Sequence, residues 1–260
     1  MDLATPAVET APAPPRLDPP GTPARVGLLL LSSDLTTERD AARVLAPEGI
    51  AAHAARVAFD NPTTRESLRR MGARIAEGAA LLVPGAALSA VCFSCTSGTV
   101  EIGGEAVAAA IRAVRPGVPV VTPPEAALDA FAALGARRVA LLTPYTESVT
   151  APMARWFAER GVEIVRARCL GMEDDRAMAR VSRAAIAEAA AEADHPAAEA
   201  LFVSCTALPA LGAAAAIEAR LGKPVVTSNQ ASLWRLRALA GAAAPREGLG
   251  RLLALPAPAG

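Results

Sequence analysis

The sequence predicts an α/β protein of two similar halves, each a short parallel β-sheet flanked by helices. Three observations lead to this fold class: short apolar runs alternate with amphipathic stretches, aromatic residues make up only 3% of the chain, and three motifs recur in order. Continuous apolar runs are typical of parallel strands that helices cover on both faces. Their alternation with helical patterns indicates βαβ units.

The individual elements follow from these patterns. Predicted strands, all rich in Val, Leu and Ala, are Val26–Leu31, Ala79–Val83, Ala90–Ser94, Val118–Val121, Val139–Thr143, Glu163–Ala167, Ala200–Ser204 and Pro224–Thr227. Stretches with helical periodicity lie between them, at Ser67–Glu77, Gly104–Val114, Ala151–Arg160 and Arg176–Ala191.

An internal repeat divides the chain. The matching pairs are Arg25–Leu29 with Arg138–Leu142, Phe93–Thr96 with Val203–Thr206, and Pro119–Thr122 with Pro224–Thr227. Three matches in one order and at nearly one spacing indicate duplication of an α/β unit. We therefore expect two domains related by a pseudo-twofold axis, the first formed by residues 25–122 plus 230–260 and the second by residues 123–229.

Composition excludes several classes of protein. Residues 1–24 are proline-rich without an apolar face, so we expect a disordered tail, and a loose end at Pro256–Gly260. The N-terminus does not resemble a signal peptide, and no apolar run approaches the roughly 20 residues of a membrane helix. Lys plus Arg and Asp plus Glu number 26 each, so no net charge attracts nucleic acid or a membrane. Four cysteines are too few for a disulfide scaffold, so we expect a cytoplasmic protein with free thiols.

The Ser-Cys-Thr motif carries the chemistry. Cys95 and Cys205 each follow a strand of the repeat, and ligands of open α/β sheets bind outside the carboxyl ends of strands. The two thiols are therefore expected to face each other across a cleft. A helix beginning after each cysteine would lower the thiol pKa. Its N–H groups, with the hydroxyls of Thr96, Ser97 and Thr206, would hold a carboxylate or an enolate.

Two thiols on opposite faces of a substrate allow two reactions. One thiolate can remove an α-proton while the other thiol returns one. Alternatively, one thiolate can add to a double bond, which allows rotation before elimination. Cys92 and Cys95 also form a Cys-x-x-Cys pair, but a second pair is absent and there are only two histidines. Because zinc needs about four ligands, and no glycine-rich phosphate loop is present, we expect no metal and no cofactor; Cys169 is expected to pack.

At these residues the sequence resembles the aspartate/glutamate racemase superfamily, in its maleate isomerase and arylmalonate decarboxylase branch. The resemblance spans residues 25–253 and rests on Arg25–Gly27, Ser32–Asp34, Cys95–Ser97, Thr143–Tyr145 and Ser204–Cys205. It implies catalysis by Cys95 and Cys205, a substrate loop at Ser33 and Asp34, and a carboxylate pocket of Thr96, Ser97 and Tyr145. With Glu173–Asp175 and Thr227–Gln230 included, the pattern is most similar to the ectoine-utilisation group called ectoine-utilisation protein A.

Departures from the branch refine the expected substrate. Arylmalonate decarboxylases have glycine at the first cysteine position, so Cys95 argues against plain decarboxylation. Asp34 and Asp175 stand where maleate isomerases have amides. Two added carboxylates would favour a substrate with an ammonium group, unless these aspartates only cap helices. Arg56 is a candidate carboxylate ligand or a surface residue.

Three hypotheses remain open at this stage. The first is a two-cysteine isomerase or racemase of a small amino dicarboxylate such as hydroxyaspartate, acting in ectoine degradation. The second is a maleate-type cis–trans isomerase or a decarboxylase. The third is a non-enzymatic protein that binds a small acid, which paired thiols disfavour. A small carboxylate is the expected partner in each case, and the sequence leaves open whether the chain forms a homo-oligomer.

Overall fold

A computed structural model describes residues 6–19, 23–242 and 244–256. It contains two four-stranded sheets, with strand orders β2-β1-β3-β4 and β6-β5-β7-β8. The strands are β1 Arg25–Leu31, β2 Ala51–Val57, β3 Ala90–Ser94, β4 Val120–Val121, β5 Arg138–Thr143, β6 Glu163–Cys169, β7 Ala200–Val203 and β8 Val225–Thr227.

Helices connect the strands and flank both sheets. They are α1 Thr37–Leu45, α2 Arg65–Met71, α3 Ile75–Ala80, α4 Thr96–Ile102, α5 Gly104–Val114, α6 Pro123–Leu134, α7 Glu147–Ala158, α8 Asp175–Met178, α9 Arg183–Ala193, α10 Ala214–Leu221 and α11 Ser228–Leu239. Short 3₁₀ turns lie at Ala46–Glu48, Gly72–Arg74 and Leu252–Ala254.

The two sheets have one topology. The strand order of the second sheet is that of the first sheet with each strand number raised by four. All neighbouring strands pair in parallel. The predicted α/β class with two short parallel sheets is confirmed. The duplicated motifs occupy equivalent strands, β1 with β5, β3 with β7, and β4 with β8. The two cysteine motifs therefore follow equivalent strands.

The central strands form the core of each sheet. β3 is buried at every position and β1 from Val26 onward, whereas the edge strand β6 is mostly exposed. In the second half, rings from three different elements (Phe131, Phe157 and Phe202) pack against each other with centroids 5.4–5.8 Å apart. Edge-to-face aromatic packing of this kind stabilises the core beyond its apolar burial.

Two predicted elements differ from the structure. Ala79–Val83 was predicted as a strand, but α3 ends at Ala80 and a turn follows. The apolar run has a different cause: Ala79 is a buried residue of α3 and Leu82 is buried in the turn after it, while Leu81 is 67% exposed. The strand β2 was not predicted, because its Ala-rich sequence lacks the β-branched run that indicates a strand.

Two predicted helices are interrupted. The predicted helix Ser67–Glu77 is α2 and α3 separated by a 3₁₀ turn, and Arg176–Ala191 is the short α8 followed by α9. The second break arises at Ser182, whose hydroxyl accepts a hydrogen bond from the Ala185 N–H and starts α9.

Helix α11 joins the two halves. It packs against α6 as well as α1 and β3. Buried Arg237 on this helix binds Glu48, Nε to Oε2 at 2.8 Å, which ties the helix to the turn after α1. The domain bounds predicted at residues 122 and 230 stay a prediction.

The termini were predicted to lie outside the fold. Residues 6–19 are exposed and contain no helix or strand, and disorder of the tail stays a prediction. Residues 1–5, 20–22 and 257–260 of the predicted tail and loose end lie outside the described residues. Within the described ranges, no helix is both long and apolar enough to cross a membrane.

Candidate active site

Cys95 caps the helix that follows it. Its backbone is extended, with φ −150°, and its sulfur accepts the Gly98 N–H of α4 at 3.2 Å. Gly98 permits this close approach, because a Cβ there would lie 2.8 Å from the Cys95 sulfur and 2.8 Å from the Met71 methyl. The first turn of α4 thus fixes the thiol against the end of β3, as the motif predicted.

Cys205 has a different local structure. The chain bends at residues 206–208, and α10 begins only at Ala214, so the predicted helix start at this cysteine is wrong. The φ of Cys205 is +101°, an uncommon value for a residue other than glycine. The chain bends back after β7, and the N–H groups of Leu208 and Ala207 donate hydrogen bonds to the Cys205 sulfur.

Hydrogen bonds join the two cysteine loops. The Thr206 hydroxyl donates to the Ser94 carbonyl at 2.9 Å, so the residue after one cysteine binds the residue before the other. The Thr96 hydroxyl lies 2.8 Å from the Ser228 hydroxyl, which also accepts the Cys205 N–H at 3.0 Å. The ends of β3 and β7 therefore form one site.

Tyr145 interacts with both cysteines. Its buried hydroxyl interacts with the side chains of Cys205 and Ser97, and Ser97 Oγ lies 3.9 Å from Cys95 Sγ. Burial raises the pKa of Tyr145 well above its usual value, and the two cysteines raise it further. The phenol is therefore a neutral hydrogen-bond donor at the centre of the site.

Asp175 faces the same site from the second half. Its Oδ2 accepts the Ser33 hydroxyl at 2.6 Å, which connects the two predicted loops. Burial raises the Asp175 pKa to about 6, although the Ser33 hydrogen bond opposes the shift. Its negative charge raises the pKa of both Cys95 and Cys205, so all three groups share one electrostatic environment.

Asp34 and Arg56 are engaged in supporting contacts. Both carboxylate oxygens of Asp34 accept hydrogen bonds at the start of α1, from the Thr36 and Thr37 N–H groups and the Thr37 hydroxyl. Arg56 donates to the carbonyls of Leu31 and Asp34 and pairs with Glu38. Asp34 thus starts a helix beside the site, and Arg56 braces the loop from outside it.

The thiol pKa values differ from the expectation. Burial raises the Cys95 pKa to about 12 despite the Gly98 hydrogen bond, and burial followed by Asp175 raises the Cys205 pKa. The prediction that helix N-termini lower both pKa values is therefore wrong for these buried thiols. Each cysteine is only 4% exposed, and loss of hydration outweighs the few N–H donors.

Loops from the two halves close over the site. The Thr63 N–H donates to the Glu173 carbonyl at 2.7 Å. The Asn61 amide donates to Asp174 Oδ1 at 2.6 Å and accepts the Asp175 N–H at 3.0 Å. These bonds join the loop before α2 to the loop before α8, the helix that begins with Asp175.

Four residues of the site were not predicted as functional: Ser228, Asn229, Asp40 and Asn61. Asn229 donates to the Thr206 carbonyl at 3.0 Å and to buried Asp40 at 2.8 Å. Burial raises the Asp40 pKa to about 6. The repeated Pro-Val-Val-Thr motif could have indicated Ser228 and Asn229. It forms β8, which pairs with β7, so that α11 begins beside the second cysteine.

The remaining cysteines lie apart from this arrangement. Cys92 is fully buried within β3, as predicted, and Cys169 is half-buried at the end of β6. All four cysteines are free thiols. Across the described residues, no three His, Cys, Asp or Glu side chains group in a way that could hold a metal ion.

Comparisons with known proteins agree with this geometry. The sequence pattern of the arylmalonate decarboxylase family matches residues 40–253. The arylmalonate decarboxylase of Bordetella bronchiseptica is 38% identical over 139 residues, which are 52% of this chain and 58% of that enzyme. The maleate isomerase of Geobacillus stearothermophilus is 23% identical over 227 residues, 82% of this chain and 90% of that enzyme.

Solved structures extend the likeness to the whole fold. A mutant of arylmalonate decarboxylase in its liganded form superposes with a TM-score of 0.78 and 30% identity, covering 88% of this chain and 98% of that one. The branch that the cysteine motifs predicted is confirmed, while closeness to the ectoine-utilisation group stays a prediction. The chain belongs to the arylmalonate decarboxylase and maleate isomerase family of enzymes, within the aspartate/glutamate racemase-like fold.

Proposed function

We propose that the protein is a cofactor-independent isomerase in which Cys95 and Cys205 invert a carbon centre of a small amino dicarboxylate. Hydroxyaspartate is such a compound, and ectoine degradation is the proposed context. The observation that carries the proposal is the position of the two thiols at equivalent strand ends, around one tyrosine and one aspartate. A duplicated thiol suits a reaction that needs a proton carrier on each substrate face.

The proposed reaction transfers two protons and no other group. The thiolate of one cysteine takes the α-proton, and the C–H electron pair moves into the adjacent carboxylate to give an enediolate. The opposite thiol then gives its proton to the other face of the carbon, which becomes inverted. Hydroxyls of Thr96, Ser97 and Tyr145 are proposed to bind the carboxylate and its developing charge.

The charge of the site supports an ammonium-bearing substrate. Asp34, Asp40 and Asp175 are buried, and Asp34 raises the pKa of both of the others. The nearby Arg56 already binds backbone carbonyls and Glu38. A substrate ammonium beside Asp175 would offset its negative charge, and so would ease formation of a thiolate at either cysteine. Substrate binding itself would then activate the base.

A cis–trans isomerase is the second candidate. It is favoured by the match to the Geobacillus maleate isomerase over 90% of that enzyme. In this reaction a thiolate adds to one alkene carbon, and the carbanion on the other carbon takes a proton from the opposite thiol. After rotation about the new single bond, that proton returns and the sulfur leaves. Decarboxylation is less suited, since both thiols are present.

Proton NMR in deuterated water separates these functions. The purified protein is incubated with each enantiomer of amino dicarboxylates, with maleate, and with an arylmalonate. We expect deuterium at the α-carbon of an amino dicarboxylate together with loss of optical purity. Conversion of maleate to fumarate without α-exchange of amino acids would replace the proposal by the second candidate. Release of carbon dioxide alone would overturn both.

Substitution of the aspartates tests the charge argument. Asp175→Asn should weaken kcat/KM for the amino dicarboxylate about ten- to a hundredfold, because a charge-assisted hydrogen bond to the ammonium is lost. The same variant should retain any activity on maleate. Asp34→Asn is a comparison variant rather than a neutral control, because the Asp34 carboxylate binds backbone N–H groups at the start of α1 and also raises the pKa of Asp175. Equal losses on both substrates in Asp175→Asn would remove the charge argument.

A further inference from the structure

We propose that Ser228 is a positioning residue that couples the Cys205 backbone to the carboxylate-binding hydroxyl of Thr96. The proposal rests on the proposed function, because it assigns Thr96 to the substrate carboxylate. Ser228 is the first residue of α11 and is completely buried. It belongs to neither cysteine motif, yet its hydroxyl touches both cysteine loops.

The contacts of Ser228 set the direction of its hydrogen bonds. Its oxygen accepts the Cys205 N–H at 3.0 Å, and this donor cannot reverse. Its own hydroxyl hydrogen then needs an acceptor, and the Thr96 oxygen lies 2.8 Å away. In the described part of the chain, no other acceptor serves the Ser228 hydroxyl or the Thr96 hydroxyl.

A bound carboxylate decides which hydroxyl donates in the hydrogen bond between Ser228 and Thr96. If Thr96 donated to Ser228, the Ser228 hydrogen would stay buried without a partner. If Ser228 donates to Thr96, the Thr96 hydrogen is free to donate to a substrate carboxylate, and every group is satisfied. The chain of donors then runs from the Cys205 N–H through Ser228 and Thr96 to the substrate.

Other contacts hold the surrounding structure without Ser228. The start of α11 has a capping box in which Thr227 and Gln230 bind each other's backbone N–H groups. The carbonyl of Thr206 is held by Asn229, and that of Ala207 by Thr36. Ser228 alone among these residues contacts the Cys205 N–H, which lies at the positive φ. Its removal should therefore loosen the cysteine and spare the fold.

Kinetics of Ser228→Ala test the coupling. Ser232→Ala is the matched control, because Ser232 is a buried serine one turn along the same helix; it bonds the Ser228 carbonyl and the Cys92 thiol inside β3, but neither Cys95 nor Cys205. We expect Ser228→Ala to lower kcat/KM at least about tenfold, with a higher KM and a lower kcat. The Ser232→Ala variant should stay within about threefold of wild type, at a similar melting temperature.

A double-mutant cycle with Thr96→Val distinguishes positioning from general loosening. If Ser228 acts through Thr96, the loss in the double variant should be at least about fivefold smaller than the product of the single losses. Losses that multiply, or an unchanged kcat/KM in Ser228→Ala, would overturn the proposal.

Alkylation gives a readout that needs no substrate. The native proteins are treated with iodoacetamide, and each cysteine peptide is followed by mass spectrometry. Ser228→Ala should speed modification of Cys205 at least about fivefold, since its N–H anchor is lost, with Cys169 as the internal reference. A Cys205 rate within about twofold of Ser232→Ala would refute the anchoring role. Absence of isomerase activity in the wild type would contradict the proposed function. The alkylation rates would still decide whether Ser228 anchors Cys205.

Discussion

Cys95 and Cys205 occupy equivalent strand ends but are supported differently. Cys95 has an extended backbone and is held by Gly98 in the helix that it caps. Cys205 has a φ of +101°; its sulfur accepts the nearby Ala207 and Leu208 N–H groups, but its own N–H is bound by Ser228, which is 23 residues away in another helix. The comparison teaches that a duplicated motif can place the same reactive atom with different supports. The contacts that support Cys95 are local in sequence, whereas one of those that support Cys205 forms only when the chain has folded.

Removal of either thiol should have the largest effect. Cys95→Ala and Cys205→Ala should each lower turnover about 10²–10⁴-fold, since each removes one proton carrier. Cys169→Ala, at the end of β6, should retain activity. Turnover and the melting temperature are measured together. If one cysteine variant stayed within about tenfold of wild type, the two sites would differ in role as well as in support.

The local support of Cys95 can be broken separately. A Cβ at Gly98 would lie 2.8 Å from the Cys95 sulfur, so Gly98→Ala should displace the thiol and lower kcat up to about a hundredfold. Gly72→Ala is the control, because its Cβ would meet Ile102 at an ordinary 3.4 Å. Alkylation should change at Cys95 and not at Cys205. Equal changes at both thiols would show that the supports are not independent.

Asp175→Asn should lower the pKa of both thiols, and more so for Cys205. Loss of a nearby negative charge favours the thiolate. The charge of Asp175 is the second-largest cause of the raised Cys205 pKa, after burial. Above pH 6 we expect about tenfold faster alkylation of Cys205 than in wild type. Towards lower pH the two proteins should converge, because the wild-type carboxyl, with a pKa of about 6, is then protonated.

Asp40→Asn is the matched control for this charge effect. Asp40 is another buried carboxyl with a pKa of about 6, and it is not among the main groups that shift the pKa of either thiol. Alkylation–pH profiles of Cys95 and Cys205 are compared in the two variants. Equal changes in both variants would assign the effect to loosening rather than to charge.

The smallest effect concerns the backbone of Cys205. Glycine adopts a positive φ without strain, so Cys205→Gly should be more stable than Cys205→Ala by about 1–2 kcal/mol. At neighbouring Ser204, whose φ is not positive, the order should reverse, with glycine less stable by about 0.5–1 kcal/mol. Denaturant unfolding of the four variants checks this. The same order at both positions would mean that Cys205 is not strained.

The sequence predicted what depends on local pattern. The buried strands and the two cysteine motifs were predicted because short apolar runs and a repeated tripeptide are visible in the chain. Ser228 was not, since its contact with Thr96 joins residues 132 positions apart. The thiol pKa values were predicted in the wrong direction, because burial of a site cannot be inferred from the motif that forms it. The helix-capping role of Asp34 was one of two alternatives that the sequence left open.

The bonds that join the loops across the site have a consequence for proton uptake. If the bonds of Asn61 and Thr63 to the loop before α8 were broken, water would reach Asp175, and its pKa would fall towards the ordinary 3.8. A carboxyl that has a higher pKa in the closed form takes up protons as the site closes. Mild acid should therefore favour the joined loops, and at neutral pH a cationic ligand beside Asp175 should favour them further by balancing its charge. The contact between the two loops should accordingly be weakened by a bound anion and strengthened by a ligand that carries an ammonium group.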